Sequence, residues 1–121
     1  MTNAQWETLL KVIAGEPVTP LPVGLIVDCP WLPGWAGVTI LDYLTDDRVW
    51  LDANLRAVNR FPDVMLLPGF WAEYGMCTEP AAFGARCIWP ANDFPFAAKM
   101  LHDYSDIDRL TRPNCRTDGI C

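Results

Sequence analysis

The chain has 121 residues, 51% of them hydrophobic, and a formal net charge of −6. This length and apolar content predict one domain, residues 1–121, with a hydrophobic core. The acidic balance and the lack of a basic stripe argue against nucleic acid and anionic membranes as partners, because both recruit cationic surfaces. The apolar stretches are shorter than a membrane span and the first residues lack a signal-peptide pattern, which predicts a cytoplasmic location.

The first predicted element is an amphipathic helix. Apolar residues recur at positions i, i+3, i+4 and i+7 from Trp6 to Ile13, a spacing typical of a helix with one buried face. Thr2 or Asn3 is available as N-cap, and Gly15 is a stop signal.

A strand and a long loop are predicted next. The apolar run VGLIV at 23–27 predicts a buried strand that ends at Asp28. Residues 29–40, CPWLPGWAGVTI, are dense in Pro, Gly and Trp and are predicted to be a loop. Trp31 and Trp35 in this loop are candidates for ligand contact, although packing against the core explains aromatic residues there equally well.

A second helix and a second strand follow. Thr45, Asp46 and Asp47 form a favourable helix start, and the helix must end before Pro62. The run VMLL at 64–67 lacks polar alternation and predicts a strand covered on both faces. A helix connecting two such strands indicates a βαβ unit and a parallel sheet.

The segment after the second strand contains the remaining candidate site residues. Phe70 and Trp71 are candidate ligand-binding residues, and Glu73 is a candidate catalytic carboxylate together with Asp28. Asp28 ends the first predicted strand, and Glu73 follows the second. Glu73 has a structural interpretation as well, since an acid at a helix start is stabilised by the helix dipole.

The C-terminal third predicts a small separate sheet. Residues 85–89 and 96–101 flank the turn-rich PANDFP segment and predict a β-hairpin outside the parallel sheet. Residues 103–110 predict a short helical turn.

The five cysteines are odd in number, widely spaced and without a CxxC pair, which predicts reduced thiols. A zinc site from Cys77, Cys87 and His102 lacks the close ligand pairs of structural zinc sites, so no metal site is predicted. His102 is expected to be an exposed histidine rather than a base oriented by Asp103.

Several segments in this order and spacing resemble the N-terminal third of uroporphyrinogen decarboxylase-like proteins. They are TPLPV, LDYLTDDRVWLDANLRAVNRFPDV, VMLLPGFWAEYGM, EPAAFGARCIWP and YSDIDRLTRPNCRTDG. The resemblance implies an α/β fold: the N-terminal segment of a (β/α)8 TIM barrel, with two βα units and a β-hairpin. A barrel of this type needs about 250 residues. The chain is therefore expected either to be a fragment of a longer protein or to close its sheet with another chain.

The resemblance implies two chemistries, that of the haem-pathway decarboxylases and that of methyltransferases acting between methylated corrinoids and thiols such as coenzyme M. Residues 29–40 contain no Arg or Lys, and 69–71 read Gly-Phe-Trp where the decarboxylases are expected to have an aspartate. Without cations, binding of a polycarboxylate substrate is disfavoured. The methyltransferase-like branch is favoured, because a corrinoid could lie against Trp31, Trp35, Phe70 and Trp71.

The expected partners follow from this interpretation. They are the remainder of the barrel or a second copy, and a corrinoid protein, with the corrinoid as substrate or partner cofactor. Zinc is expected only if the chain continues beyond Cys121, and residues 1–121 alone are expected to be inactive. The alternative is a non-catalytic truncated relative that acts as a binding or assembly module.

Overall fold

A computed structural model of the chain describes residues 1–26, 29–67, 69–71 and 74–120. The helices are α1 (Asn3–Ile13), α2 (Trp31–Ala36), α3 (Ile40–Thr45), α4 (Asp47–Arg60) and α5 (Thr78–Ala82), and 3₁₀ turns span Gly75–Cys77 and Tyr104–Arg109. The strands are β1 (Val23–Ile26), β2 (Val64–Leu67), β3 (Cys87–Ile88) and β4 (Phe96–Ala97).

The described strands form two separate two-stranded sheets. β1 and β2 pair in parallel, with Val23 opposite Val64 and Ile26 opposite Leu67. β3 and β4 pair in antiparallel fashion. The parallel pair joined through helices and the hairpin outside it are both as predicted. A complete barrel stays a prediction, because it requires strands in addition to β1–β4.

The first helix begins at a capping box. The backbone N–H of Gln5 donates to Thr2 Oγ1 at 3.2 Å, and the Thr2 N–H donates back to Gln5 Oε1 at 2.8 Å. Gln5 Nε2 also donates to the Pro62 carbonyl at 2.9 Å, which fixes α1 beside the start of β2. The helix ends at Ile13, and after the C-cap Ala14 the chain turns away at Gly15, whose φ of +75° is the left-handed conformation that glycine adopts readily.

The predicted loop at 29–40 is wrong, because most of it is helical. α2 accommodates Pro33 in its first turn, where a proline removes no intrahelical hydrogen bond. Gly37 ends α2 with a φ of +77°, and Thr39 Oγ1 accepts the Asp42 N–H at 3.0 Å to start α3. Burial supplies the driving force, since Leu32 is fully excluded from solvent.

The core lies between helices α2, α3 and α4 and strand β2. Its buried hydrophobic members are Leu32, Ala36, Ile40, Tyr43, Leu44, Ala53, Ala57 and Leu66. The face of α4 that touches this core presents the small residues Ala53 and Ala57, which let the helix approach its neighbours closely. Asp46 is the N-cap of α4 and accepts the Arg48 N–H at 2.9 Å. The helix therefore begins at Asp47, the second residue of the acidic pair.

The strand β1 is not buried, contrary to the expectation from its apolar sequence. All four of its residues are exposed, whereas Met65 and Leu66 in the paired strand are buried. The difference arises because burial of a strand requires neighbours on its faces, and in the described part of the chain β1 has only β2 beside it. The apolar side of α1 is also open, with Trp6, Leu10 and Ile13 all exposed.

The longest helix is α4, with 14 residues. Across the described ranges, no helix has the length and apolar character needed to cross a lipid bilayer.

Candidate functional site

The two segments that carry the predicted catalytic acids leave the sheet at the same edge. β1 and β2 are parallel and in register, so Ile26 and Leu67 lie side by side where both strands end. Asp28 and Glu73 lie outside the described residues, and their catalytic roles stay predictions. The residues described around them define the candidate site.

Three aromatic rings form one group, called here the tryptophan stack: Trp31 and Trp35 on α2, and Phe61 just after α4. The Trp31 and Trp35 rings are stacked, with centroids 5.6 Å apart and planes inclined by 16°. Phe61 contacts both, at centroid distances of 6.3 Å to Trp31 and 5.7 Å to Trp35. Arg56 covers the Trp35 ring at 5.6 Å and donates to the Ala36 carbonyl at 3.0 Å.

The two tryptophans of this stack differ in exposure. Trp35 is partly buried and packs against the core, while Trp31 is 47% exposed. Trp35 therefore makes the core contact that was one of its two predicted roles, and a ligand-binding role for either tryptophan stays a prediction.

A second aromatic group lies at the strand-exit edge, and one of its members, Trp50, lines the pocket described next. The rings of Phe70 and Trp50 make an edge-to-face contact with centroids 5.8 Å apart. Trp50 Nε1 donates to the Trp71 carbonyl at 3.2 Å, which ties the segment after β2 to the first turn of α4. Phe70 and Trp71 remain 42% and 37% exposed, so both present apolar surface to solvent.

Beside this group is a cavity of about 240 Å³, called here the α4 pocket, with walls that include Tyr43, Asp46, Asp47, Trp50 and Tyr74. Tyr74 is held in place by an edge-to-face contact with Trp89, at 5.6 Å between centroids. The two aspartates give the rim negative charge, although Asp46 already accepts two backbone N–H groups of α4. A negative rim disfavours a carboxylate ligand and favours a neutral or cationic one.

The four predicted ligand-binding residues are divided between these two groups. Trp31 and Trp35 contact Phe61, which lies just beyond the C-terminal end of α4. Phe70 and Trp71 instead contact Trp50, in the first turn of α4. At 1.5 Å per residue, these ends of α4 are roughly 16 Å apart. Within the described ranges, no ring contact connects the two groups.

Sequence reasoning missed Trp50, Tyr74 and Trp89 as residues of the site. A signal for Trp50 was present: a helix that connects two parallel strands starts at their carboxyl-end edge, so its first turn faces any site there. Trp89 had no such signal, because only the tertiary contact of the β3–β4 hairpin brings it to Tyr74.

Asp103 and Asp106, two carboxylates with lowered pKa values, belong to the cap of the 3₁₀ turn at Tyr104–Arg109 rather than to the site. The pKa of Asp103 is lowered chiefly by the hydrogen bond that the Ser105 hydroxyl donates. The pKa of Asp106 is lowered chiefly by the backbone N–H of His102, which donates to it at 2.8 Å. His102 itself is exposed, as predicted.

A metal site was considered for Cys77, Cys87 and His102. In the part of the chain that the structure describes, no group of three or more His, Cys, Asp or Glu side chains is placed to hold a metal ion.

Comparison of the chain with protein-family models, with curated proteins and with solved structures found no match. The resemblance to uroporphyrinogen decarboxylase-like proteins therefore depends on the sequence segments quoted above.

Proposed function

We propose that this chain is the N-terminal part of a methyltransferase-like member of the uroporphyrinogen decarboxylase family, acting in the cytoplasm. In this proposal the open faces of β1 and α1 are covered by further barrel polypeptide or by a second copy. The completed site transfers a methyl group between a methylated corrinoid and a thiol, and residues 1–121 form one wall of it. The observation that carries the proposal is the exposure of β1.

Parallel sheets are normally buried on both faces, yet Val23, Leu25 and Ile26 are 53%, 50% and 75% exposed. Fully burying one such side chain stabilises a complex by about 1.5–3 kcal/mol. A strand of this composition is therefore expected to be covered in the functional protein. The exposed side of α1 adds to the same argument.

The α4 pocket and the adjacent rings supply the apolar surface for the corrinoid. Phe70 and Trp71 lie at the carboxyl end of β2, where (β/α)8 enzymes have their sites. The negative rim at Asp46 and Asp47 fits the preference for a methyltransferase over a decarboxylase of polycarboxylates. Asp28 and Glu73 are the proposed acid–base residues of this wall.

A non-catalytic binding or assembly module is the second candidate. The observation that favours it is the separation of the predicted ligand-binding residues, since Trp31 and Trp35 contact one end of α4 and Phe70 contacts the other. A single flat ligand against all four residues would have to extend along the helix.

The assembly part of the proposal is tested by sedimentation of dilution series. Residues 1–121 are expected to self-associate, and Ile26→Asp is expected to raise the dissociation constant at least ~10-fold, because 1.4 kcal/mol corresponds to that factor. Leu55→Asp is the matched control, since Leu55 is 44% exposed on α4. A monomer at all concentrations, or equal effects of the two variants, would contradict an unfinished sheet.

The ligand part is tested by titration with methylcobalamin, followed by quenching of tryptophan fluorescence. Phe70→Ala is expected to weaken binding ~10-fold, and Phe83→Ala is a control at the same exposure, 42% for each phenylalanine. No binding, or equal weakening by both variants, would favour the assembly module. With residues 1–121, a methyl-transfer assay is expected to show no turnover, and metal analysis is expected to show no stoichiometric zinc.

A further inference from the structure

Two cysteines outside the candidate site, Cys77 and Cys87, lie in contact on either side of the segment that contains α5. Cys77 ends the 3₁₀ turn after β2, and Cys87 begins β3. Cys87 Sγ lies 3.9 Å from the Cys77 carbonyl oxygen, and neither cysteine is in a disulfide. The contact is part of a packed junction, because a Cβ added to Gly75 in the same turn would lie 3.2 Å from the Pro95 carbonyl beside β4.

We propose that Cys77 and Cys87 are a redox-active dithiol that closes reversibly to a disulfide by exchange with a small-molecule disulfide such as oxidised glutathione. The bond ties the turn after β2 to the β3–β4 hairpin. This assignment is independent of the proposed methyl transfer, since it needs neither a corrinoid nor a second chain.

The two thiols are unequal, and this sets the order of the steps. Cys87 is half-buried, whereas Cys77 is fully excluded from solvent. Burial, and then the hydrogen bond with the Cys87 side chain, raises the pKa of Cys77 to about 11. Cys77 is therefore a protonated, inaccessible thiol at neutral pH, and Cys87 is the one that a reagent meets first.

The exchange proceeds in two displacements. The Cys87 thiolate attacks one sulfur of the small disulfide, a Cys87–glutathione bond forms, and one glutathione thiolate leaves. Cys77 then gives up its proton, its sulfur attacks Cys87 Sγ, and the second glutathione leaves as a thiol. Two protein thiols are oxidised and one glutathione disulfide is reduced to two thiols, which carry the two protons.

Closure of this bond acts on the α4 pocket. Tyr74, in the pocket wall, lies three residues before Cys77, and its ring partner Trp89 lies two residues after Cys87. A Cys77–Cys87 disulfide links the segment of Tyr74 to the segment of Trp89. The bond holds these two rings together and restricts the loop that carries Phe70 and Trp71. The redox state of the pair therefore controls how rigid this wall is.

Tryptic mapping provides a direct test. After incubation in mixtures of oxidised and reduced glutathione and quenching with iodoacetamide, cleavage at Arg60, Arg86 and Lys99 places Cys77 in peptide 61–86 and Cys87 in peptide 87–99. The expected product is these two peptides joined by a disulfide, lost again on treatment with dithiothreitol. Recovery of Cys87 joined to glutathione beside an alkylated Cys77 would overturn the proposal.

Three controls make the result specific. Cys87→Ser is expected to abolish the linked peptide, while Cys115→Ser, at an exposed thiol, is expected to leave its abundance unchanged. The unmodified chain is also oxidised in urea. Half closure of the disulfide there should need a glutathione mixture at least ~10-fold more oxidising than in the folded chain. Equal ratios in the two conditions would mean that the fold does not pair these thiols, and the proposal would fail.

Discussion

Replacement of Asn54 by leucine is expected to destabilise the chain by about 2 kcal/mol. Asn54 is the buried polar residue in the helical core, 4% exposed. Its Nδ2 donates to the Tyr43 hydroxyl at 3.1 Å and to the Trp50 carbonyl at 2.8 Å. Each hydrogen bond contributes about 1 kcal/mol net, so losing both gives this estimate. Leucine is similar in size and leaves little cavity, which keeps the packing contribution small.

A double-mutant cycle separates the bond to Tyr43 from the rest. Tyr43→Phe removes the hydroxyl and is expected to cost about 1 kcal/mol. In the double variant the two losses should overlap by about 1 kcal/mol, because both single changes break the same hydrogen bond.

The assay is urea unfolding followed by circular dichroism at a protein concentration low enough to limit association. Asn59→Leu is the matched control on the same helix, since Asn59 is exposed, and it should change the free energy of unfolding by less than ~0.5 kcal/mol. A coupling energy below ~0.3 kcal/mol, or equal effects at Asn54 and Asn59, would refute the argument that this bond joins α3 to α4.

Three other variants and conditions follow from the same structure. Leu32→Ala should cost about 3 kcal/mol in urea unfolding and Leu51→Ala, at a position 43% exposed, less than ~1 kcal/mol. Asp46→Ala should cost about 1 kcal/mol through loss of the α4 cap, read from the same unfolding curves. Because burial raises the pKa of Cys77 from 9.0 to about 11, the folded chain keeps a proton that the unfolded chain releases. Stability from this group is present below pH 9 and lost as the pH rises toward 11, by at most roughly 2–3 kcal/mol. Cys77→Ala should remove that loss, and an unchanged pH profile would contradict it.

The site was predictable only in part. Phe70 and Trp71 were predicted as site residues because apolar runs mark strands and aromatic residues just after a strand are recognisable in the sequence; their ligand-binding role stays a prediction. Their partner Trp50 and the hairpin residue Trp89 were not predicted, since Trp50 contacts Trp71, and Trp89 contacts Tyr74, between segments distant in the chain. Asp28 and Glu73 lie outside the described residues, so their part of the site stays a prediction.

What the sequence determined by itself is local. Thr2 and Asp46 set the starts of α1 and α4 through hydrogen bonds to near neighbours in the chain. Pro62 sets the end of α4, because proline has no backbone N–H and disfavours a helical residue before it. Hydrophobic spacing likewise predicted α1, α4 and the parallel strand pair. Only the tertiary structure decided that 31–36 is helical and that β1 is open. Both outcomes depend on burial, which is a relation between segments: Leu32 gains a core to enter, whereas the equally apolar Ile26 finds nothing in the described chain to cover it.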